Sequence, residues 1–254
     1  MRIVLFGTGN LATRLGLELQ SKHAEIVQVF GRTASSCSHL AALLGCQFTL
    51  SKEDVRQDAD LFLFALSESA LPEVLTGLPV MNQLIVHTSG SLSLDCLSAW
   101  SSNFGVFYPL QTLSAQKEVD FSTIPICIEA NTPKNQQKLA DLANSISQTV
   151  RIIDSSQRRQ LHLAAVYACN FVNHLYAIGE KLLMEHQLDF ELLKPLIRET
   201  AEKALQFSPA DVQTGPAMRG NHSIQQLHLQ MLEQHPAWQQ IYQQLSQDIA
   251  STQT

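Results

Sequence analysis

The chain opens on Ile3-Val4-Leu5-Phe6, an unbroken apolar run, followed at once by Gly7-Thr8-Gly9-Asn10-Leu11-Ala12. Nothing else in the sequence narrows the fold as much. A short apolar run that stops at glycine reads as a buried strand, and the apolar residues at 11, 12, 15 and 19 recur at helical spacing. Strand, glycine turn and helix, in that order, are the setting in which G-x-G-x-x-A holds a dinucleotide pyrophosphate. Gly7 allows the tight turn, Gly9 lets the backbone approach the phosphates, and Ala12 keeps the helix close to the sheet. The free N–H groups at the helix start then face the anion. Gly7, Thr8, Gly9, Asn10, Leu11 and Ala12 are therefore the expected cofactor turn.

The same alternation continues. Ile26–Phe30, Asp60–Leu66, Leu84–Val86, Gly105–Tyr108, Ile124–Ile128 and Val150–Ile153 read as strands, with helices over 35–44 and Pro133–Ile146. Strands alternating with helices predict a doubly wound, mostly parallel α/β sheet, the Rossmann plan, over residues 1–154. From Ser155 the texture changes to helix alone. Ser155–Gln187 is one long apolar-periodic pattern, followed by Phe190–Gln206, Ile224–Leu232 and Ala237–Ile249. Residues 155–254 are thus expected to form an all-helical second domain.

Two further stretches fall at strand ends, where ligands of open α/β sheets sit. After the second strand come Gly31-Arg32-Thr33-Ala34-Ser35, where an NAD site would carry an acid for the ribose 2′-hydroxyl. An arginine flanked by hydroxyls fits a 2′-phosphate instead, so Arg32, Thr33 and Ser35 predict NADP. Leu66 and Ser67 end a later strand beside Glu68 and Ser69, as cofactor contacts or an ordinary helix cap. His87-Thr88-Ser89-Gly90-Ser91 follows another strand, in place for the nicotinamide end. His87 reads equally as a cofactor contact or a hydrogen-bonded structural histidine.

Charge and cysteine usage exclude other classes. The net charge of −6 gives no electrostatic footprint for nucleic acid. Five widely spaced cysteines, without a C-x-x-C pair, speak against a disulfide framework and a thiolate metal site, and fit a reducing compartment, so the expected location is cytoplasmic. The N-terminal apolar run ends at Gly7, too short for a signal peptide, and no stretch is long enough to span a membrane. No metal site is expected. His222 and His228 lack a completing carboxylate.

Together the motifs resemble the pyrroline-5-carboxylate reductase and 6-phosphogluconate dehydrogenase superfamily. Within it they are most similar to a bacterial branch that joins a Rossmann-like domain to a C-terminal domain of unknown function of the 2520 type. His87-Thr88-Ser89-Gly90-Ser91, Tyr108-Pro109-Leu110-Gln111-Thr112, His162-Leu163-Ala164-Ala165 with Asn170-Phe171, and Gly215-Pro216-Ala217-Met218-Arg219-Gly220-Asn221 carry the likeness. Asn221 stands where an aspartate is expected, and Arg158-Arg159 where lysines are usual. The resemblance implies an NADP-dependent oxidoreductase acting on a small polar, anionic substrate in the cleft between the domains. It also implies a homodimer through a helical domain like the C-terminal one of 6-phosphogluconate dehydrogenase. A non-catalytic dinucleotide-binding sensor is the alternative, and a deazaflavin reductase a third reading.

Superfamily dehydrogenases use a lysine and an asparagine on the first long helix of the second domain. This chain has no lysine between Lys138 and Lys181, so His162 and Asn170 are the candidates for catalysis. On an ideal helix Asn173 falls within about 20° of His162 and Asn170 about 80° away, which predicts one polar stripe. That stripe serves either the substrate or a buried network against a dimer mate. Ser89, Asn173 and Arg219 are the expected substrate contacts, Arg219 as a fork for an anion or, alternatively, as a helix C-cap.

Overall fold

The computed structural model describes residues 1–114 and 117–251. Eight strands form one sheet: β1 (Arg2–Phe6), β2 (Glu25–Phe30), β3 (Gln47–Thr49), β4 (Leu61–Phe64), β5 (Leu84–His87), β6 (Phe104–Pro109), β7 (Ile126–Ala130) and β8 (Val150–Ile152). Their spatial order is β3-β2-β1-β4-β5-β6-β7-β8. Every neighbouring pair is parallel except β6 with β7. The expected Rossmann plan is thus present, with the sheet order reversing at β1, where ligands of such sheets bind.

The strands are apolar throughout because both faces are covered. On β1, Ile3 and Leu5 point into one core, with helices α1 (Asn10–Ser21), α2 (Ala34–Leu44) and, further along, α4 (Pro133–Ile146). Val4 and Phe6 point into the other, beneath α3 (Ala70–Leu75). There Phe6 stacks on Phe64 with ring centroids 4.2 Å apart and meets Phe62 edge-on. Each such side chain, fully buried, contributes about 1.5–3 kcal/mol. β3 and α3, absent from the expected elements, are each too short to show a period of their own.

The helical elements that follow are α5 (Ser155–Ala165), α6 (Val172–Glu185), α7 (Lys194–Gln206), α8 (His222–Met231) and α9 (Pro236–Ser251). Asp154 caps α5 in a reciprocal box with Gln157, which fixes its first residue. Between α5 and α6 lies a π-helical turn, Val166–Phe171. The helix expected as one regular element over Ser155–Gln187 is therefore interrupted, and offsets worked on an ideal helix do not carry from His162 to Asn170 or Asn173. Asn221 caps α8 by accepting the Ile224 N–H at 3.3 Å, a job that asparagine and aspartate do equally well.

By its contacts the chain divides into two compact units, Met1–Cys169 and a second from Asn170 onward. The first takes in α5, which the sequence reading assigned to the helical part. In the second, Ala217 and Leu232 are the buried apolar residues among those described. No helix among the described residues is long and apolar enough to cross a membrane.

Candidate active site

The turn after β1 is shaped by Gly7, whose φ is +114°; a Cβ there would stand 2.2 Å from the Ala65 carbonyl oxygen. Its N–H bonds the Phe30 carbonyl at 2.8 Å, which ties β1 to the end of β2. Gly9 has ordinary angles, and a Cβ built on it meets nothing within 4 Å. It begins α1 without a side-chain cap and without an acid in the first turn. Thr8 lies against Gly31, Asn10 is tied to the Leu113 carbonyl at 3.3 Å, Leu11 is half-buried and Ala12 fully buried. Past β2, Arg32, Thr33 and Ser35 are all exposed.

A second cluster stands on the same edge of the sheet, at the carboxyl ends of β4, β5 and β6. Leu66 is half-buried, while Ser67 and Ser69 are exposed and pair their hydroxyls at 3.3 Å. Glu68, between them, reaches across to the loop after β5 and accepts from Ser89 Oγ at 2.7 Å and from Ser91 Oγ. Those two hydroxyls, Ser91 first, hold its carboxyl below the usual carboxylate range. Ser89 is itself braced, accepting the Ser91 and Leu92 N–H groups at 3.0 and 3.1 Å.

His87 lies under this loop with 1% of its surface exposed. Its Nδ1 accepts the Ser89 N–H at 3.1 Å, which places any ring proton on Nε2, and Nε2 is buried without a partner. Burial, helped by the Arg158 charge, pushes its pKa down to about 4. The imidazole is therefore neutral at physiological pH and acts as a strut beneath the loop.

His162, on α5, lies directly over Gly90. A Cβ on that glycine would come 2.7 Å from His162 Nδ1. The same nitrogen meets Tyr108 Oη at 3.1 Å, with the two rings edge to face. Burial raises the Tyr108 pKa, so the phenol keeps its proton, and its hydroxyl shares one hydrogen bond with Nδ1. One turn earlier on α5, Arg158 is fully buried. It bonds the Glu129 carboxylate, the Leu92 carbonyl and, at 3.2 Å, Ser155 Oγ.

The first unit thus brings together His162, Ser89 and the loop over His87. Asn170 and Asn173 lie in the second unit and are exposed, as is Arg219. Arg219 follows Gly215 (φ +116°) and precedes Gly220 (φ +62°) in the turn before α8. Sequence reasoning missed Tyr108 and Glu68 as site residues. Each stands in the sequence only as part of a motif, and the contacts that matter span 54 and 21 residues. Among the described residues no group of three or more His, Cys, Asp or Glu is placed to hold a metal ion.

Comparison with known proteins agrees with this architecture. Residues 2–89 match the family described as NADP oxidoreductase, coenzyme F420-dependent, and residues 124–249 match domain of unknown function 2520. No curated protein matches the chain. A candidate NADP oxidoreductase from Bacteroides fragilis is 41% identical over 98% of each chain, with a TM-score of 0.92. A protein from Thermotoga maritima is 20% identical over 99% of this chain and 100% of its own, with a TM-score of 0.78. A 1-pyrroline-5-carboxylate reductase from Streptococcus pyogenes is 16% identical over 99% and 98%, with a TM-score of 0.68. At these identities the last two share the fold. The chain belongs to the family that joins a Rossmann domain of the F420-dependent NADP oxidoreductase type to domain of unknown function 2520.

Proposed function

We propose that the protein is an NADP-dependent oxidoreductase that transfers a hydride to or from a small polar substrate, with Tyr108 and His162 managing the accompanying proton. The observation that carries this reading is the 3.1 Å Tyr108–His162 contact on the same sheet edge as the Gly7–Ala12 turn. The Bacteroides fragilis relative supports the reaction class.

The residues present fit the cofactor. The uncapped start of α1 and the open space at Gly9 suit a pyrophosphate. The exposed Arg32, Thr33 and Ser35 suit a 2′-phosphate, with Leu66, Ser67 and the loop over His87 flanking the remainder. NADPH, when bound, supplies the hydride. The protein's part is then to orient the substrate and move a proton. In the reducing direction Tyr108 gives its phenol proton to a substrate heteroatom and takes it back in the oxidising direction, with His162 Nδ1 holding the phenol oxygen in place. Glu68, ionised beside them, repels an anionic group. A substrate of that charge needs a separate cation; Ser89 is a further polar contact in the first unit, and Arg219, Asn170 and Asn173 are the candidates that the second unit carries.

We also infer a homodimer formed through the second unit. Leu192, Leu196 and Leu205 there are 65%, 62% and 87% exposed, and a unit with so little buried of its own gains stability by covering them. A cytoplasmic location is consistent with five free cysteines.

Titration of the purified protein with NADPH and NADH, followed by nicotinamide fluorescence, tests the reading. Tight NADPH and weak NADH binding is expected. Arg32→Glu should weaken NADPH about 10- to 100-fold, the loss of a charge-assisted contact. Binding of neither nucleotide would overturn the enzyme in favour of another role for the glycine turn.

A further inference from the structure

The proposed chemistry makes no use of the largest fully buried side chain in the protein, Arg158. Burying a guanidinium is costly unless its hydrogen bonds are met by a partner worth holding. Its partners lie on separate elements. Glu129 belongs to β7, the Leu92 carbonyl to the loop after β5, and Ser155 to the first turn of α5. Glu129 also accepts the Ser155 N–H at 3.0 Å and its hydroxyl at 2.8 Å, while Ser155 Oγ accepts the Leu94 N–H at 2.9 Å. The start of α5 is thereby tied both to the sheet and to the serine loop.

The spacing gives the network a purpose. Arg158 and His162 are four residues apart, on one face of α5 and about 6 Å along its axis. On β6, Val106 pairs with Glu129 and Tyr108 pairs with Cys127. Two residues of strand advance about 6.6 Å. The Arg158–Glu129 contact and the His162–Tyr108 contact are therefore two rungs of one ladder, with helix and strand advancing almost equally between them. The Leu92 carbonyl pins the far end of the loop whose Gly90 lies under the His162 ring.

We propose that Arg158 is a positioning residue: clamped to Glu129 and Leu92, it sets the height of α5 on the sheet and so brings His162 Nδ1 onto the Tyr108 hydroxyl above Gly90. The inference rests on the function proposed above for its catalytic meaning, but the placement itself is independent of it. The planar fork matters as well as the charge. Lysine, whose three donors share one nitrogen, cannot hold carboxylate and carbonyl from two separate, fixed nitrogens as Arg158 does.

The test uses the full-length protein labelled in its histidine rings, with His162 signals identified from His162→Ala. Tyr108→Phe should shift those signals. Arg158→Met should move the His162 signals towards the Tyr108→Phe values, and adding Tyr108→Phe should then change them little. Arg158→Lys should fall between. If Arg158→Met does not fold, Glu129→Gln, which keeps the shape and one acceptor, should move His162 the same way by less. Unchanged His162 signals in either folded variant would overturn the proposal.

Turnover adds a separate reading. With a substrate in hand, Arg158→Met should lower kcat about 100-fold, the usual consequence of misplacing a reacting group by 1 Å, with NADPH binding unchanged. A wild-type protein that ignores NADPH refutes the enzyme, and the ring signals still decide the role of Arg158. A folded Arg158→Met with normal kcat refutes the positioning role alone.

Discussion

Replacing Gly90 with alanine asks whether the Tyr108–His162 contact is held as tightly as the packing implies. Gly90 is outside the left-handed region, so its backbone accepts an alanine. The obstacle is the imidazole. The new methyl would stand 2.7 Å from Nδ1, 2.8 Å from Cγ and 3.0 Å from Cβ of His162. Ordinary contact begins near 3.4 Å, so the ring must retreat by roughly 0.7 Å. Because Cβ is crowded too, turning the ring alone does not relieve the clash. Tyr108 is rooted in β6 and does not follow, so the 3.1 Å hydrogen bond is lost. The overpacking should cost about 1–3 kcal/mol of stability. A neutral hydrogen bond contributes about 0.5–1.5 kcal/mol, which is the expected cost of Tyr108→Phe alone. A double-mutant cycle by urea unfolding separates the two effects. Tyr108→Phe should cost about 1 kcal/mol in the wild-type background and almost nothing in Gly90→Ala. An equal cost in both backgrounds would show that His162 keeps its partner, and the steric reasoning would be wrong.

Three further predictions follow from the same geometry. Gly9→Ala has space and permissible angles, so unfolding stability should be unchanged while NADPH affinity falls. Gly7→Ala should lose both, because its methyl meets the Ala65 carbonyl, and a Gly9→Ala protein that binds NADPH normally would remove the pyrophosphate from this turn. His87 binds fewer protons folded (pKa about 4) than unfolded (about 6.5), so its contribution is complete above pH 6.5 and is lost as pH falls towards 4. Between pH 7 and pH 5 the loss should be about 2 kcal/mol; His87→Asn, whose Oδ1 can accept the Ser89 N–H, should flatten that dependence in urea melts, and an unaltered slope would exclude His87 as its source. Leu196→Glu places a charge on an apolar groove lined by Leu175, Tyr176 and Phe190, and sedimentation should shift from twice the 28.2 kDa chain mass to that mass; a variant that stays at the larger mass would move the interface elsewhere.

The cofactor half was legible because its demands are local. Gly7 is needed for a positive φ, Ala12 for close packing, and alternating apolar strands for a sheet covered on both faces. Direction was not legible for β7. An apolar pentapeptide carries no sign of which way it runs. Only the connection decides, and among the described residues of 110–125 it contains a single 3₁₀ turn (Phe121–Thr123), not the helix a parallel crossover needs. The catalytic histidine candidate came from the resemblance. Its partner Tyr108, the Glu68 bridge and the Arg158–Glu129 pair depend on contacts 21 to 54 residues apart, for which periodicity gives no signal. The π-helical turn was hidden for a different reason, since its residues satisfy helical spacing on either side.

The two outermost strands of the sheet bear on how this protein survives at high concentration. An unpaired strand edge is a template on which a neighbouring chain can add a strand and begin to polymerise. Here both edges, β3 and β8, are only three residues long, and the middle residue of β8 is the exposed Arg151. A foreign strand would find few backbone partners and a charge in its path. Both ends of the eight-stranded sheet are thereby poor templates, and aggregation by strand addition is discouraged.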